Sequence, residues 1–173
     1  IQQDTDHYHV GTMCYITGTQ IDPSGNNIVG YDDVDNGAVT LVTPAFDLSQ
    51  LKSPFIRYWF YYSNNQGQRP GIPKWQADVS NDGGSSWKSL QLTNQSTDGW
   101  TQFSFRLNDY LPVSSSVKLR FIAIDFIGSL VDAGVDALEI LEPMQSTQTK
   151  VVDSKASSLP LPLPYPLPRC PTL

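Results

Sequence analysis

Two groups of carboxylates in this chain could bind a metal ion if the fold brings them together. Asp33 and Asp35 lie in the run Asp-Asp-Val-Asp-Asn-Gly, and Asp136 lies in an apolar segment far along the chain. Alternation in that segment, with Leu138 and Ile140 on the core side, predicts that Asp136 faces the interior. A buried carboxylate needs a cation, an arginine or backbone donors, and carboxylates beside loop carbonyls suit Ca²⁺. The candidate ligands of a structural Ca²⁺ are Asp6, Asp33, Asp35 and Asp136. The alternative is that Asp33 and Asp35 form turns while Asp136 bonds only to backbone.

A second candidate site is a polar sheet face. In several segments apolar residues alternate with a second set of arginines, amides and aromatic rings. If the strands faced the other way, Arg57, Arg106 and Arg120 would lie in the core. The second set is therefore predicted to face outward. Its candidate ligand-binding residues are Arg57, Trp59, Tyr61, Gln76, Asp78, Gln102, Arg106 and Arg120, with Lys118 beside them. Aromatic rings stack on sugars while Arg, Asp and Gln pair with hydroxyl groups. The alternatives are an acidic glycan, an adjoining protein domain, and a solvated face with its rings packed under a loop.

Catalytic signatures are few. The two histidines, His7 and His9, have no HExxH motif or cysteine cluster around them, so a zinc site would need mixed ligands without recognisable spacing. The chain has no G-x-S-x-G motif and no glycine-rich phosphate loop. A small hydrolase using paired carboxylates is an alternative, but most of the 17 Asp and Glu residues lie in turns beside Gly and Asn. We expect no catalytic residue in this segment.

The most specific local motif is the run Ser80–Trp87, with the sequence Ser-Asn-Asp-Gly-Gly-Ser-Ser-Trp. It matches the pattern of the Asp-box hairpin. Asp82 can accept backbone N–H bonds across the turn, Gly83 and Gly84 allow positive φ, and Trp87 can fold back over the hairpin. The motif predicts a shape rather than an activity.

These residues must be positioned by β-strands, because period-two segments recur between turn signals and no segment has a capped helical period. The predicted strands are Met13–Thr17, Val39–Leu41, Phe55–Ser63, Trp75–Ser80, Ser89–Leu92, Thr101–Leu107, Val117–Phe126 and Gly134–Leu141. The predicted core residues are Ile56, Tyr58, Phe60, Tyr62, Trp75, Ala77, Val79, Phe103, Phe105, Leu107, Val117, Leu119, Phe121 and Ala123. About eight short strands predict an all-β jelly-roll sandwich, which we place at residues 1–142. Residues 143–173 become Pro-rich and predict a disordered or extended linker or tail.

Composition excludes several classes of function. The net charge of −6 provides no basic surface for nucleic acid. No apolar run approaches the roughly 18 residues of a membrane span. The chain opens with Ile1-Gln2 rather than a signal peptide, and we expect it to be cut from something longer. Cys14 and Cys170 are expected to be a buried thiol and an unrelated one rather than a bridge.

An ordered series of segments resembles the MAM-like jelly-roll accessory domains of secreted bacterial metallopeptidases and related exported hydrolases. The series is Gly11–Gly18, Asp33–Leu41, Thr43–Ser49, Tyr58-Trp59, Ser80–Trp87, Val117–Ala123 and Ala133–Ile140. The resemblance implies a non-catalytic module that often holds structural Ca²⁺, with metal ligation at Asp33, Asp35 and Asp136. Two departures stand out. The sequence begins after the strand that usually precedes the segment matching Asp4–His7, so we expect that strand to be either missing or supplied by further sequence. Ala137 stands where the family often has a second acidic residue.

Together these observations predict a secreted or cell-surface accessory module of a larger hydrolase, such as a metallopeptidase. Its expected partners are the polysaccharide or protein substrate of that enzyme and the adjoining catalytic domain. The alternative is a module for cell adhesion or interdomain contact.

Overall fold

The computed structural model describes residues 14–18, 22–26, 28, 34, 36–72, 74–126 and 128–143. The strands are β1 (Tyr15–Ile16), β2 (Ala38–Val42), β3 (Phe55–Gly67), β4 (Lys74–Ser80), β5 (Lys88–Thr93), β6 (Thr101–Arg106), β7 (Lys118–Ile124) and β8 (Ser129–Leu141). A 3₁₀ turn, Leu107–Asp109, follows β6. No helix in these ranges is long and apolar enough to cross a membrane.

The strands form two four-stranded sheets. Sheet I has the order β1-β8-β3-β6 and sheet II the order β2-β7-β4-β5, with antiparallel pairing throughout. Strand β1 pairs with β8 and β2 pairs with β7, which is the nested order of a jelly roll. The predicted jelly-roll β-sandwich is confirmed. The main differences in extent are that β8 begins at Ser129 rather than near Gly134, and that β3 continues to Gly67.

The core lies between the sheets and contains the side chains that alternation assigned to it. Ile56, Tyr58 and Tyr62 of β3 have no exposed surface, and Trp75 of β4 is 1% exposed. Trp75 stacks on Phe60 with ring centroids 5.3 Å apart. Burying one such side chain is worth roughly 1.5–3 kcal/mol. The predicted inward set is confirmed because every member is buried or packs against the buried cluster.

The partly buried side chain of Gln91 reaches the polar atoms of two core rings. The register of β4 and β5 shifts between Ala77 and Asp78, and Gln91 pairs with the core residue Ala77. The Oε1 atom of Gln91 accepts hydrogen bonds from the Tyr58 hydroxyl at 2.5 Å and from Nε1 of Trp75 at 3.3 Å. Burial raises the pKa of Tyr58, so its hydroxyl stays protonated and donates. Gln91 therefore satisfies the polar atoms of two buried rings.

A β-bulge decides the direction of Asp136. Val135 and Leu138 both pack against the core, so strict alternation breaks between them. The register of β3 and β8 shifts here, and Ala137 has a φ of +47°. Asp136 consequently pairs with Trp59, a residue of the outward set, and is half-buried. The prediction that Asp136 faces the interior is wrong, because the alternation that positions Leu138 does not extend back across a bulge.

Several residues named from the sequence lie outside the described residues. They are Asp6, His7, His9, Asp33, Asp35 and Cys170, together with the segment from 144 onward. Their assigned roles stay predictions, as does the domain boundary near residue 142. Cys14 is described and is half-buried rather than buried.

Candidate functional site

The predicted polar face is divided between the two sheets. Arg57, Trp59, Tyr61, Gln102 and Arg106 belong to β3 and β6 of sheet I, whereas Gln76, Asp78, Lys118 and Arg120 belong to β4 and β7 of sheet II. The sheets pack through their apolar sides, so their outer sides point away from each other. The prediction of a single face is wrong, because alternation distinguishes inward from outward residues but does not tell which sheet a strand joins.

Two surfaces therefore replace the predicted one. The Trp59 face is the outer side of sheet I and comprises Phe55, Arg57, Trp59, Tyr61, Trp100, Gln102, Ser104, Arg106, Asp136, Glu139 and Leu141. The Trp87 face is the outer side of sheet II and comprises Gln76, Asp78, Trp87, Lys118 and Arg120.

The middle of the Trp59 face is a row of three residues across neighbouring strands. Trp59 of β3 pairs with Gln102 of β6 on one side and with Asp136 of β8 on the other. Oδ1 of Asp136 accepts the backbone N–H of Ala137 at 2.6 Å, which orients the carboxylate. An indole flanked by an amide and a carboxylate offers a stacking surface with hydrogen-bonding groups at both edges.

The next row is centred on Arg57, which pairs with Ser104 of β6 and Glu139 of β8. Nε of Arg57 donates to Oε2 of Glu139, with both side chains partly exposed. Beyond it, the guanidinium of Arg106 lies 5.0 Å from the centroid of the Phe55 ring. These contacts hold two long cationic side chains in defined positions beside the row of Trp59.

A shallow depression of about 270 Å³ opens at this end of the Trp59 face. It is lined by Phe55, Arg57, Gln102, Ser104, Leu141 and Pro143. The side chains of Gln102 and Ser104 are exposed, and neither forms a hydrogen bond with another described residue. An apolar floor with unused amide and hydroxyl groups can bind a polar ligand that also has an apolar surface.

The other end of the Trp59 face is closed by Trp100. The ring of Trp100 lies 6.3 Å from that of Tyr61 and approaches Gly134 so closely that a Cβ there would be 2.8 Å from Cη2 of the indole. Tyr61 is only 4% exposed as a result, and burial raises its pKa. The predicted contact of Tyr61 with a ligand stays a prediction, for a ring that lies beside Trp100 and is almost fully buried.

The Trp87 face is occupied by its own contacts. Nε of Arg120 donates to Oδ2 of Asp78 at 2.7 Å, and Nε2 of Gln76 lies 3.0 Å from each oxygen of the same carboxylate. The indole of Trp87 stacks on Arg120, with the guanidinium carbon 4.5 Å from the ring. Asp78 is 1% exposed. The oxygens of Asp78 are thus paired and covered, and its role in ligand binding stays a prediction.

The hairpin that carries Trp87 has the turn geometry predicted from its sequence. Gly83 and Gly84 have φ angles of +75° and +98°. Oδ1 of Asp82 accepts the backbone N–H of Ser86 at 2.9 Å, and Oδ2 accepts the Ser86 hydroxyl at 2.6 Å. The Ser86 bonds, with a further one from Ser80, hold the pKa of Asp82 well below its ordinary value of 3.8. The Trp87 ring reaches back to within 3.2 Å of where a Cβ on Gly84 would lie.

Residues in the described ranges do not assemble the predicted metal site. No group of three or more His, Cys, Asp or Glu side chains in those ranges could hold a metal ion. Of the four predicted ligands only Asp136 is described, and it belongs to the Trp59 row. The Ca²⁺ prediction therefore stays a prediction, without support from the direction of Asp136.

Comparison with protein-family models gave no match, and comparison with curated proteins gave none either. Among solved structures the chain is similar to TmCBM61 in complex with β-1,4-galactotriose, at 14% sequence identity and a TM-score of 0.35, over 61% of this chain and 60% of that one. It is also similar to CBM28, a non-crystalline cellulose specific carbohydrate-binding module, at 10% identity and a TM-score of 0.39, over 61% and 65% of the two chains. The chain spans less than two thirds of the length of each, and the likeness concerns the fold alone.

Sequence reasoning missed several residues of the Trp59 face. Phe55 alternates with Arg57 and Trp59 in β3, and Ser104 alternates with Gln102 and Arg106 in β6. Period-two alternation could therefore have identified both as outward-facing. Glu139 is identified only by its pairing with Arg57, which alternation within one strand does not reveal. Trp100 precedes β6 in a connecting segment and has no periodic signal.

Proposed function

We propose that this chain is a non-catalytic module that binds a carbohydrate polymer on its Trp59 face. The observation that carries the proposal is the depression at the Arg57 end of the Trp59 face. There Gln102, the pairing partner of Trp59, and Ser104 present side-chain hydrogen-bonding groups that no other described residue uses. Sugar rings have apolar CH surfaces and hydroxyl edges, which suit an indole ring bordered by amide, hydroxyl and guanidinium groups.

The arrangement of charges also favours a ligand over a purely structural face. The ion pair of Arg57 and Glu139 is partly exposed, with 41% and 34% of the two side chains accessible. Exposed ion pairs contribute little to stability, about 0–1 kcal/mol. A pre-positioned guanidinium at the edge of a depression can instead bind hydroxyl or carboxylate oxygens of a ligand.

The resemblance to accessory domains of secreted metallopeptidases and related hydrolases supports a wider role. In that role the module holds an exported parent enzyme on polysaccharide or protein substrate, outside the cell or at its surface. The enzyme would carry the catalytic residues, and this segment would supply affinity.

Calorimetric titration of the chain with a panel of soluble polysaccharides tests the proposal. Trp59→Ala should lower the affinity for the best ligand by about tenfold or more, equivalent to about 1.4 kcal/mol. Trp87→Ala is the matched control, because it removes the same ring from the opposite face, and it should leave affinity unchanged. Gln102→Ala should weaken binding without altering the melting temperature, since its amide is unused by the described residues.

Two results would count against the proposal. Equal affinity in wild type and Trp59→Ala would separate binding from the Trp59 face. Absence of binding across the panel would favour the alternative of protein contact.

A further inference from the structure

Arg106 is an exposed cation that no carboxylate of the described residues balances. It ends β6 on the Trp59 face, and its guanidinium carbon lies 5.0 Å from the centroid of the Phe55 ring. Neither ion pair found among the described residues includes it, and its guanidinium donates no hydrogen bond to any of them. Glu142, just beyond β8, accepts the backbone N–H of Ser53 at 3.1 Å instead. The Phe55 ring therefore positions the guanidinium without neutralising it.

A second guanidinium borders the depression of about 270 Å³ at this end of the face. It belongs to Arg57, and its Nε donates to Oε2 of Glu139. Arg57 pairs with Ser104, and Arg106 follows Ser104 by two residues in β6. The rows of the two arginines are therefore roughly 7 Å apart. One guanidinium at this end is already paired, and the other is left for a ligand.

The charged groups of the Trp59 face are separated along the strands. Asp136 lies in the row of Trp59 and Gln102. Arg106 lies two rows away, four residues along β6 from Gln102, which corresponds to roughly 13 Å. A ligand that lies along the face would thus meet amide and carboxylate groups at one end and an unpaired cation at the other.

The chemistry of a positioned guanidinium favours a ligand that contains a carboxylate. Its planar N–H donors match the two oxygens of a carboxylate, and such charge-assisted bonds are stronger than those to a neutral hydroxyl. The chain as a whole has a net charge of −6, so general attraction of polyanions does not account for this contact. Preference for an acidic ligand must come from Arg106 at short range.

We propose that the polysaccharide bound by the Trp59 face is acidic, with a uronate carboxylate on Arg106 and sugar hydroxyls on Gln102 and Ser104. This inference rests on the proposed function and adds its substrate class. An acidic peptide presents the same carboxylate, but it lacks the row of hydroxyl groups that suits the unused amide and hydroxyl of the depression.

Calorimetric titration with oligogalacturonate and with its methyl ester tests the substrate class, because the two probes share one sugar chain and differ in charge. Wild type should bind the acid about tenfold more tightly than the ester. Arg106→Gln should remove that difference by weakening only the binding of the acid. Lys88→Gln is the matched control, since it removes the same charge from an exposed residue of sheet II, and it should leave both affinities unchanged.

Glu139→Gln should change the affinity in the opposite direction. It removes the carboxylate that competes with a ligand for Arg57, so the affinity for the acid should rise while that for the ester stays the same. The pair is partly exposed, so its loss should hardly lower the melting temperature. If Glu139 only shaped the face, its substitution would change both affinities together, which would contradict the proposal.

The other outcomes separate this inference from the proposed function. Equal binding of acid and ester, lost in Trp59→Ala, would overturn the acidic ligand and leave carbohydrate binding intact. Equal losses in Arg106→Gln and Lys88→Gln would show that net charge alone matters and would also overturn the site. Binding of neither probe nor of any neutral polysaccharide would overturn both proposals. The same follows if only an oligoglutamate peptide binds, and Arg106→Gln then tells whether that peptide uses this end of the face.

Discussion

Asp136 of β8 is the backbone pairing partner of Trp59 of β3, and the residue that follows it, Ala137, has a φ of +47°. A left-handed conformation costs a residue with a Cβ roughly 1–2 kcal/mol. The bulge at Ala137 nevertheless gives Asp136 the same side of the sheet as Trp59, while Leu138 returns to the core. The strained backbone of Ala137 is thus part of the bulge that places the Asp136 carboxylate beside the Trp59 indole.

Ala137→Gly should therefore stabilise the protein, because glycine adopts positive φ without the steric penalty. We expect a gain of about 1 kcal/mol in the free energy of unfolding, measured by urea denaturation. Ala133→Gly is the control with the same chemical change in regular β-structure, and it should destabilise by roughly 0.5–1 kcal/mol or more. Similar losses in both variants would show that Ala137 is not strained.

The two ion pairs should differ sharply in their contribution to stability. Arg120→Met leaves the carboxylate of Asp78, which is 1% exposed, without its counter-charge, and should cost about 3–5 kcal/mol. Arg57→Met breaks a pair whose two side chains are 41% and 34% exposed, and should cost about 0–1 kcal/mol. Urea denaturation of both variants checks the difference, and equal losses would mean that burial of Asp78 does not matter.

The turn at Asp82 should make stability sensitive to acid. Hydrogen bonds from Ser86 and Ser80 lower the pKa of Asp82 below 3.8 in the folded chain, so the folded state binds fewer protons than the unfolded state as the pH falls. The stabilisation by Asp82 is complete above that ordinary value and is lost as the pH falls below it toward the folded pKa. Asp82→Asn should lower the melting temperature at pH 7, and the difference from wild type should shrink below about pH 4.

Ser86→Ala provides the matched variant for this effect. It keeps the carboxylate of Asp82 but removes the hydroxyl that donates to Oδ2 at 2.6 Å. Its acid sensitivity should lie between those of wild type and Asp82→Asn. A constant difference between wild type and Asp82→Asn from pH 7 to pH 2 would contradict the assignment.

Local alternation was sufficient to predict the core but not the site. The inward direction of Tyr58 and Trp75 follows from period-two patterns within single strands, and the structure agrees. The pairing of Arg57 with Glu139 and the separation of Trp59 from Arg120 depend on which strands join which sheet. Those pairings are set by contacts between distant parts of the chain, which no pattern within one strand reports.

Bulges and connecting segments account for the remaining errors. The register shift beside Ala137 reverses the expected direction of Asp136, and no residue in that segment marks it as an insertion. Trp87 and Trp100 precede the strands they lead into, so their positions depend on how each connection folds back. The glycine pattern of Ser80–Trp87 predicted that Trp87 folds back over its hairpin. Trp100 follows a single glycine, Gly99, which does not define a turn motif.

The pairing of β1 with β8 also determines how the sandwich would respond to tension. Because the strands are antiparallel, the entry to β1 and the exit from β8 lie toward the same end of sheet I. A load applied through these two ends would peel β1 away pair by pair rather than shear it. Two residue pairs, Tyr15 with Val135 and Ile16 with Gly134, resist this motion, helped by the Thr17 N–H bonded to Ala133. Under such a load β1 would detach first, while β8, β3 and β6 stay hydrogen-bonded to one another.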